Sequence, residues 1–206
     1  MTLANKITLF RFVLIPIMIV IMFIPYLRDT ELSFFHGISI AQLIIGILFV
    51  VGSLSDFLDG YVARKYNQVT TFGKFLDPIA DKVLVLLALV YMLSIEVSIK
   101  GSASSYLVIV IMIVLLREFL VTGVRLVVSE KGIVIPASFY GKIKTASQMV
   151  ALIFILFNEF GIPYFLETSY INLSIGSLVL CFSTIMVIFS GVDYLYKSRQ
   201  YIFESM

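Results

Sequence analysis

Long apolar runs separated by short polar breaks organise the chain. The runs are Leu9–Leu27, Ile38–Phe57, Pro78–Ile95, Tyr106–Val128, Ile143–Phe160 and Ile171–Tyr196. Each is close to the ~20 residues that a helix needs to cross the hydrocarbon of a bilayer. The first contains Pro16 and Pro25, which membrane helices tolerate as kinks. The breaks carry the polar residues: Arg28, Asp29, Glu31 and His36 in one, Arg64–Thr71 in the next, and Glu96–Ser105 with Lys100 and Gly101 after that. Ser129–Gly141, with Gly132 and Pro136, and Gly161-Ile162-Pro163 complete the set. Residues 1–8 can start a helix lying along the membrane surface before it turns inward. The pattern predicts an all-α polytopic membrane protein. Six transmembrane helices, in a single domain over residues 1–206, would bundle around a polar cavity. Gly46, Gly52 and Gly176 suit close helix packing.

Composition supports that class. The chain has 206 residues, 60% of them hydrophobic and 14% charged. Such a balance is far from that of a soluble domain, and no nucleic-acid partner is expected. The lone Cys181 rules out a disulfide within one chain. The first apolar run reads as a retained span rather than a cleaved leader. With six spans, both termini lie on one side. Lys6, Arg11, Arg64, Lys65, Lys74, Lys82, Arg125, Lys131, Lys142, Lys144, Lys197 and Arg199 fall at that side, and Arg28 and Lys100 at the other. That asymmetry predicts a multi-pass cell-membrane protein with cytoplasmic termini.

The chemistry is concentrated in DFLDGYVARKYNQVTTFGKFLDPIAD, from Asp56 to Asp81. Asp56, Asp59, Gly60 and Ala63 fall on one helix face, and Gly73, Asp77 and Asp81 on another. Side by side, such helices bring four carboxylates together, and like charges that close take up protons unless a cation sits among them. The reading is a site for hard divalent cations, Mg²⁺ or Mn²⁺. Gly60 and Gly73 leave room for a base or a phosphate near helix backbone. Arg64 is a permanent cation able to meet a phosphate through paired hydrogen bonds. The plain alternative for Asp77-Pro78 is an N-cap followed by proline at the first helical position.

The spacing Asp56-x2-Asp59-Gly60-x2-Ala63-Arg64-x8-Gly73-x3-Asp77-x3-Asp81 resembles the signature of the CDP-alcohol phosphatidyltransferases. All eight positions fit. The resemblance implies that Asp56, Asp59 and Asp77 ligate metal, and that Asp81 completes the metal site or acts as general base. It also implies that Gly60, Ala63, Arg64 and Gly73, with Asp56, line the donor pocket. Two ions would suit a pyrophosphate-bearing substrate. A homodimer is implied as well. Asn5-x2-Thr8-x2-Arg11, Arg117-Glu118 and Gly141-Lys142-x-Lys144-Thr145 carry a narrower likeness, to members that join CDP-diacylglycerol to glycerol 3-phosphate. Asn5 and Thr8 then become donor contacts, beside ordinary helix-start chemistry.

The acceptor has to be recognised outside the signature. Arg117 lies within an apolar run, where a charge costs roughly 2.5–3.5 kcal/mol on insertion scales. Arg125 follows eight residues later, and Lys142 and Lys144 open the next run. Together they form a candidate pocket for the acceptor's phosphate. Plainer readings exist: an internal ion pair of Arg117 with Glu118 or Glu96, and attraction of the two lysines to lipid headgroups. A different acceptor, inositol phosphate or serine, would need the same chemistry. A divalent-cation transporter would place its carboxylates near the bilayer midplane rather than at the cytoplasmic ends of the runs.

Overall fold

A computed structural model describes residues 3–32, 38–66, 71–100, 105–130, 139–157, 166–167, 172–173 and 175–203. Side chains are described within these ranges, apart from residues 3–6, 57–66, 71–78, 81, 96–100, 105, 129–130, 166–167, 172–173 and 201–203.

The described residues are almost wholly helical. The order is α1 (Leu3–Met22), α2 (Pro25–Asp29), β1 (Glu31–Leu32), β2 (Ile38–Ser39), α3 (Ile40–Tyr66), α4 (Thr71–Lys100), α5 (Ser105–Glu130), α6 (Phe139–Leu156), β3 (Leu166–Glu167), β4 (Asn172–Leu173) and α7 (Ile175–Phe203). Tyr106–Val128, Phe139–Leu156 and Ile175–Gln200 are long and apolar enough to cross a membrane. Ile7–Met22, Ile40–Asp56 and Lys82–Ile95 are shorter apolar helical segments.

Several boundaries differ from the sequence reading, each for a local reason. The first run is two helices. Proline 25 has no N–H to continue α1, and the residue before a proline is pushed to extended backbone. Ile24 accordingly sits at φ −82°, ψ 108°. The last turn of α1 tightens, with Phe23 N–H donating to Val20 O at 3.1 Å. At the other end, α1 is continuous from Leu3, so residues 3–8 belong to the same helix as the first apolar run. Pro16 is carried inside it. Helix α3 continues past Phe57 to Tyr66. Helix α4 begins at Thr71 and runs to Lys100. Asp77 therefore lies within a helix and is not its N-cap, and Glu96–Lys100 are helical rather than loop. Two short antiparallel hairpins were not anticipated. β1 pairs with β2 in the register Glu31↔Ser39 and Leu32↔Ile38, and β3 pairs with β4 as Leu166↔Leu173 and Glu167↔Asn172. Two-residue strands leave no periodicity to read. His36 and Lys131–Pro136 lie outside the described residues.

The helices fall into two compact units, Met1–Ile95 with Leu152–Pro163, and Glu96–Ala151 with Tyr164–Met206. In the first, α1 packs along α3. The buried stripe of α1 is Thr8, Arg11, Ile15 and Met18, at helical spacing. That of α3 is Ala41, Ile45 and Phe49, continued by Gly52. Ser39 Oγ accepts from Gln42 N–H at 3.1 Å, an N-cap for α3. The Gln42 amide donates to Leu156 O at 3.1 Å and so satisfies a carbonyl at the end of α6. Gly46 permits another close approach, since a Cβ there would lie 3.2 Å from the Phe157 ring.

In the second unit α5 packs along α7. Tyr106 Oη donates to Ser177 O at 3.4 Å near their paired ends. Both units turn large apolar side chains outward, among them Val20, Leu54, Met112, Leu116, Phe119 and Leu126, while Arg11, Lys144, Gln148 and Ser190 are buried. Apolar outside and polar inside is the pattern expected where the surrounding solvent is lipid.

Candidate active site

The acidic stretch occupies the facing ends of two helices in the first unit. Asp56, Asp59, Gly60, Ala63 and Arg64 are on α3, and Gly73, Asp77 and Asp81 are on α4. Both segments are unbroken helix, so the i, i+3 and i, i+4 spacings do place each set on one face. A described contact brings the two helices together next to these segments. Gly52 lies one turn before Asp56 on the α3 stripe, and Leu84 lies three residues after Asp81 on the α4 stripe. A Cβ on Gly52 would come within 2.9 Å of Leu84 Cδ2. Glycine here is a matter of space: it lets the two helices approach one turn from the carboxylates. The side chains of Asp59, Gly60, Ala63, Arg64, Gly73, Asp77 and Asp81 lie outside the described side chains, as does that of Asn5.

Asp56 is described, and it is held by a residue of α1. Arg11 Nη1 donates to Asp56 Oδ1 at 2.6 Å. The arginine side chain is fully buried and the carboxylate is 37% exposed. Arg11 fixes which way that carboxylate faces, since charge-assisted hydrogen bonds are short and directional. Thr8 lies one turn before Arg11 on the same buried face. The four aspartates of these two helices would offer oxygen ligands alone. That fits a hard divalent cation.

The second unit holds a separate charged cluster. Arg117 and Glu118 come from α5, Lys144 from α6 and Ser190 from α7. Arg117 Nη1 donates to Glu118 Oε1 at 2.8 Å, and Arg117 Nη2 donates to Ser190 Oγ at 2.7 Å. Lys144 Nζ donates to the same Glu118 oxygen. The arginine stem lies over Gly191, where a Cβ would be 3.2 Å from Arg117 Cγ. Of the four predicted acceptor residues, Arg117 and Lys144 are brought together. Lys142 is exposed on α6. Arg125 is exposed and lies with its guanidinium 5.9 Å from the centre of the Tyr194 ring, within the range of a cation–π contact. The internal pair with Glu118 raised as the plain alternative for Arg117 is present.

A family model for CDP-alcohol phosphatidyltransferase matches residues 1–190. The chain belongs to the CDP-alcohol phosphatidyltransferase family. It is 40% identical over 196 residues to a CDP-diacylglycerol–glycerol-3-phosphate 3-phosphatidyltransferase of Bacillus subtilis, across 95% of this chain and 94% of that protein. It is 34% identical over 199 residues to the Rickettsia bellii protein of the same name, across 97% and 96%. It is 31% identical over 200 residues to that of Wigglesworthia glossinidia brevipalpis, across 96% and 95%. CDP-alcohol phosphatidyltransferases are in general metal-dependent and membrane-bound, in keeping with the oxygen-donor set and the apolar exterior. The family match spans both the acidic helices and the Arg117–Glu118–Lys144 cluster.

The sequence reading placed Arg11 in the narrower motif and among the cytoplasmic-side charges, Glu118 as a partner for Arg117, and Gly52 at a close helix contact; it did not name Asp56 as the partner of Arg11 or Leu84 as the neighbour of Gly52. Arg11 carried the signal that singled out Arg117, a lone cation inside an apolar run. Gly52 sits four residues before Asp56, in line with its stripe. Glu118 was named only as a partner of Arg117. That it also receives Lys144 follows from the packing of α5 and α6 and leaves no trace in spacing.

Proposed function

We propose that the chain transfers the phosphatidyl group of CDP-diacylglycerol to glycerol 3-phosphate, giving phosphatidylglycerol phosphate and CMP. What supports this most directly is that relatives named for that reaction align with it over nearly their whole length. The family's acidic signature also falls on two helices that approach at Gly52 and Leu84.

Asp56, Asp59, Asp77 and Asp81 would hold divalent ions, Mg²⁺ or Mn²⁺, with two as the proposed number. Bound there, such ions neutralise charge on the pyrophosphate and on departing CMP. The chain's own residues do the rest. Arg11 keeps Asp56 oriented. Arg64 meets a donor phosphate, and Asn5, Thr8, Gly60, Ala63 and Gly73 line the donor's place. Asp81 accepts the proton of the acceptor's hydroxyl. That oxygen forms a bond to the β-phosphorus, and the bond from the β-phosphorus to the bridging oxygen breaks, so CMP leaves with the electron pair. Arg117, Lys144, Arg125 and Lys142 receive the acceptor's phosphate. In this reading the six long helices all span the bilayer as one domain around a polar cavity. Both termini and the site are cytoplasmic, and the protein is a homodimer.

The test is purified protein in detergent with CDP-diacylglycerol, Mg²⁺ or Mn²⁺, and a panel of glycerol 3-phosphate, inositol phosphate, serine and glycerol. CMP release with glycerol 3-phosphate alone is expected. Release with another acceptor in preference, or with none, overturns the assignment.

A further inference from the structure

The network around Glu118 has features that an ordinary structural ion pair does not need. Neighbouring residues on a helix point about 100° apart and do not normally face each other. Arg117 nevertheless reaches Glu118, so its arm bends sideways around α5. Three groups hold it there: Glu118 at Nη1, Ser190 at Nη2 and the bare backbone of Gly191 under its stem. A second cation, Lys144, comes from another helix to the same carboxylate oxygen. All three charged side chains are mostly buried, with exposures of 14% for Arg117, 19% for Glu118 and 9% for Lys144. One cation would have neutralised the carboxylate. Burying a second beside it adds desolvation and mutual repulsion. Such a pair makes sense where an anion is to be received. The buried Nε–H of Arg117 has no acceptor among the described residues, so the guanidinium keeps unused donor capacity on the side away from Glu118.

We propose that Glu118 is a positioning residue for the acceptor. Its carboxylate draws Arg117 and Lys144 together before substrate arrives, and so sets the affinity for a phosphorylated acceptor rather than the rate of the bond-making step. This rests on the acceptor reading given above. Without the carboxylate, two cations that now share one oxygen repel across a low-dielectric interior. They move apart, and a phosphate must then reassemble them. Pre-assembly lowers the ordering cost of binding.

The experiment uses the purified full-length chain with Glu118→Gln, Glu118→Asp, Arg117→Ala and Lys144→Ala, measuring KM and kcat for glycerol 3-phosphate, KM for CDP-diacylglycerol, and thermal unfolding. Glu118→Gln keeps the side chain's shape and an accepting oxygen while removing its charge. The expected result is a rise of about tenfold or more in the glycerol 3-phosphate KM, with kcat and donor KM within about threefold. Glu118→Asp is expected to recover part of the loss. An unchanged or lower acceptor KM in Glu118→Gln, with Arg117→Ala and Lys144→Ala still raising it, overturns the proposal and leaves the acceptor site standing. A flat acceptor KM in all four variants removes the acceptor site as well. A parallel fall of kcat, donor affinity and thermal stability in Glu118→Gln assigns Glu118 to structure alone and equally overturns the proposal.

Discussion

The acidic residues of the first unit are set out along two helices at fixed spacing, whereas the cations of the second converge from two helices on a single carboxylate. The two arrangements have different electrostatics. Asp56 keeps 37% of its side chain exposed beside a fully buried Arg11, so the acidic end combines one fixed counter-charge with access from outside. The Arg117–Glu118–Lys144 cluster is closed, with every member at 19% exposure or less. An end where Asp56 stays accessible suits ions and a nucleotide that come and go. A closed, pre-paired set of cations suits the selection of one charged group on a small substrate. Energetically, the closed cluster depends more on its own pairing, because lost partners in a low-dielectric interior are not replaced by water.

Three substitutions sharpen that contrast, from the largest effect to the smallest. At the acidic end, Asp81→Asn removes the proposed proton acceptor. Turnover is expected to fall by about 10²-fold or more with little change in the acceptor KM, and near-normal turnover would withdraw its role. In the second unit, Arg117→Ala should act mainly on binding, raising the glycerol 3-phosphate KM roughly 10–100-fold. Lys142→Ala, at an exposed position, should raise it by only about threefold. Equal effects of the two would count against a built pocket around Arg117.

Arg11→Met tests the fixed counter-charge of the acidic end. Loss of a charge-assisted hydrogen bond predicts about 1.5–3 kcal/mol less stability, read as a lower melting temperature in detergent, together with weaker Mn²⁺ binding by isothermal calorimetry. A melting temperature that does not move would show that the pair contributes nothing. Gly52→Val probes the spacing of the two acidic helices. Overpacking predicts a loss of about 1–2 kcal/mol and a matching drop in Mn²⁺ affinity, both recovered when Leu84→Ala is added to make room. Gly52→Ala should be milder, because Leu84 Cδ2 is the end of a side chain that can turn aside. If Leu84→Ala does not rescue Gly52→Val, the contact does not set the spacing.

The two regions also differ in how far the sequence discloses them. The acidic stripes were legible because helical periodicity and carboxylate spacing are local properties. The long helices α3 to α7 were legible too, since length and apolarity decide a membrane-scale helix. The break at Ile24–Pro25 was not. It depends on where a proline's missing N–H ends a helix rather than kinks it. At Asp77 the sequence offered two readings, a helical stripe from Gly73 and an N-cap, and the continuous helix from Thr71 bears out the stripe. Lys142 and Lys144 illustrate the limit from another side. Two residues apart in one helix, they face differently, and one is buried while the other is exposed.

The order of residues by itself determined the class of the protein, the helices, and the two faces on which four aspartates recur, because all of these follow from the covalent chain and a fixed helical repeat. Tertiary structure alone decided that Arg11 holds Asp56, that Gly52 lets α3 and α4 close up beneath the carboxylates, and that Glu118 gathers cations from two helices. Those pairings join residues 45, 32 and 26 positions apart, and partners at such separations are chosen by packing, which no local periodicity encodes.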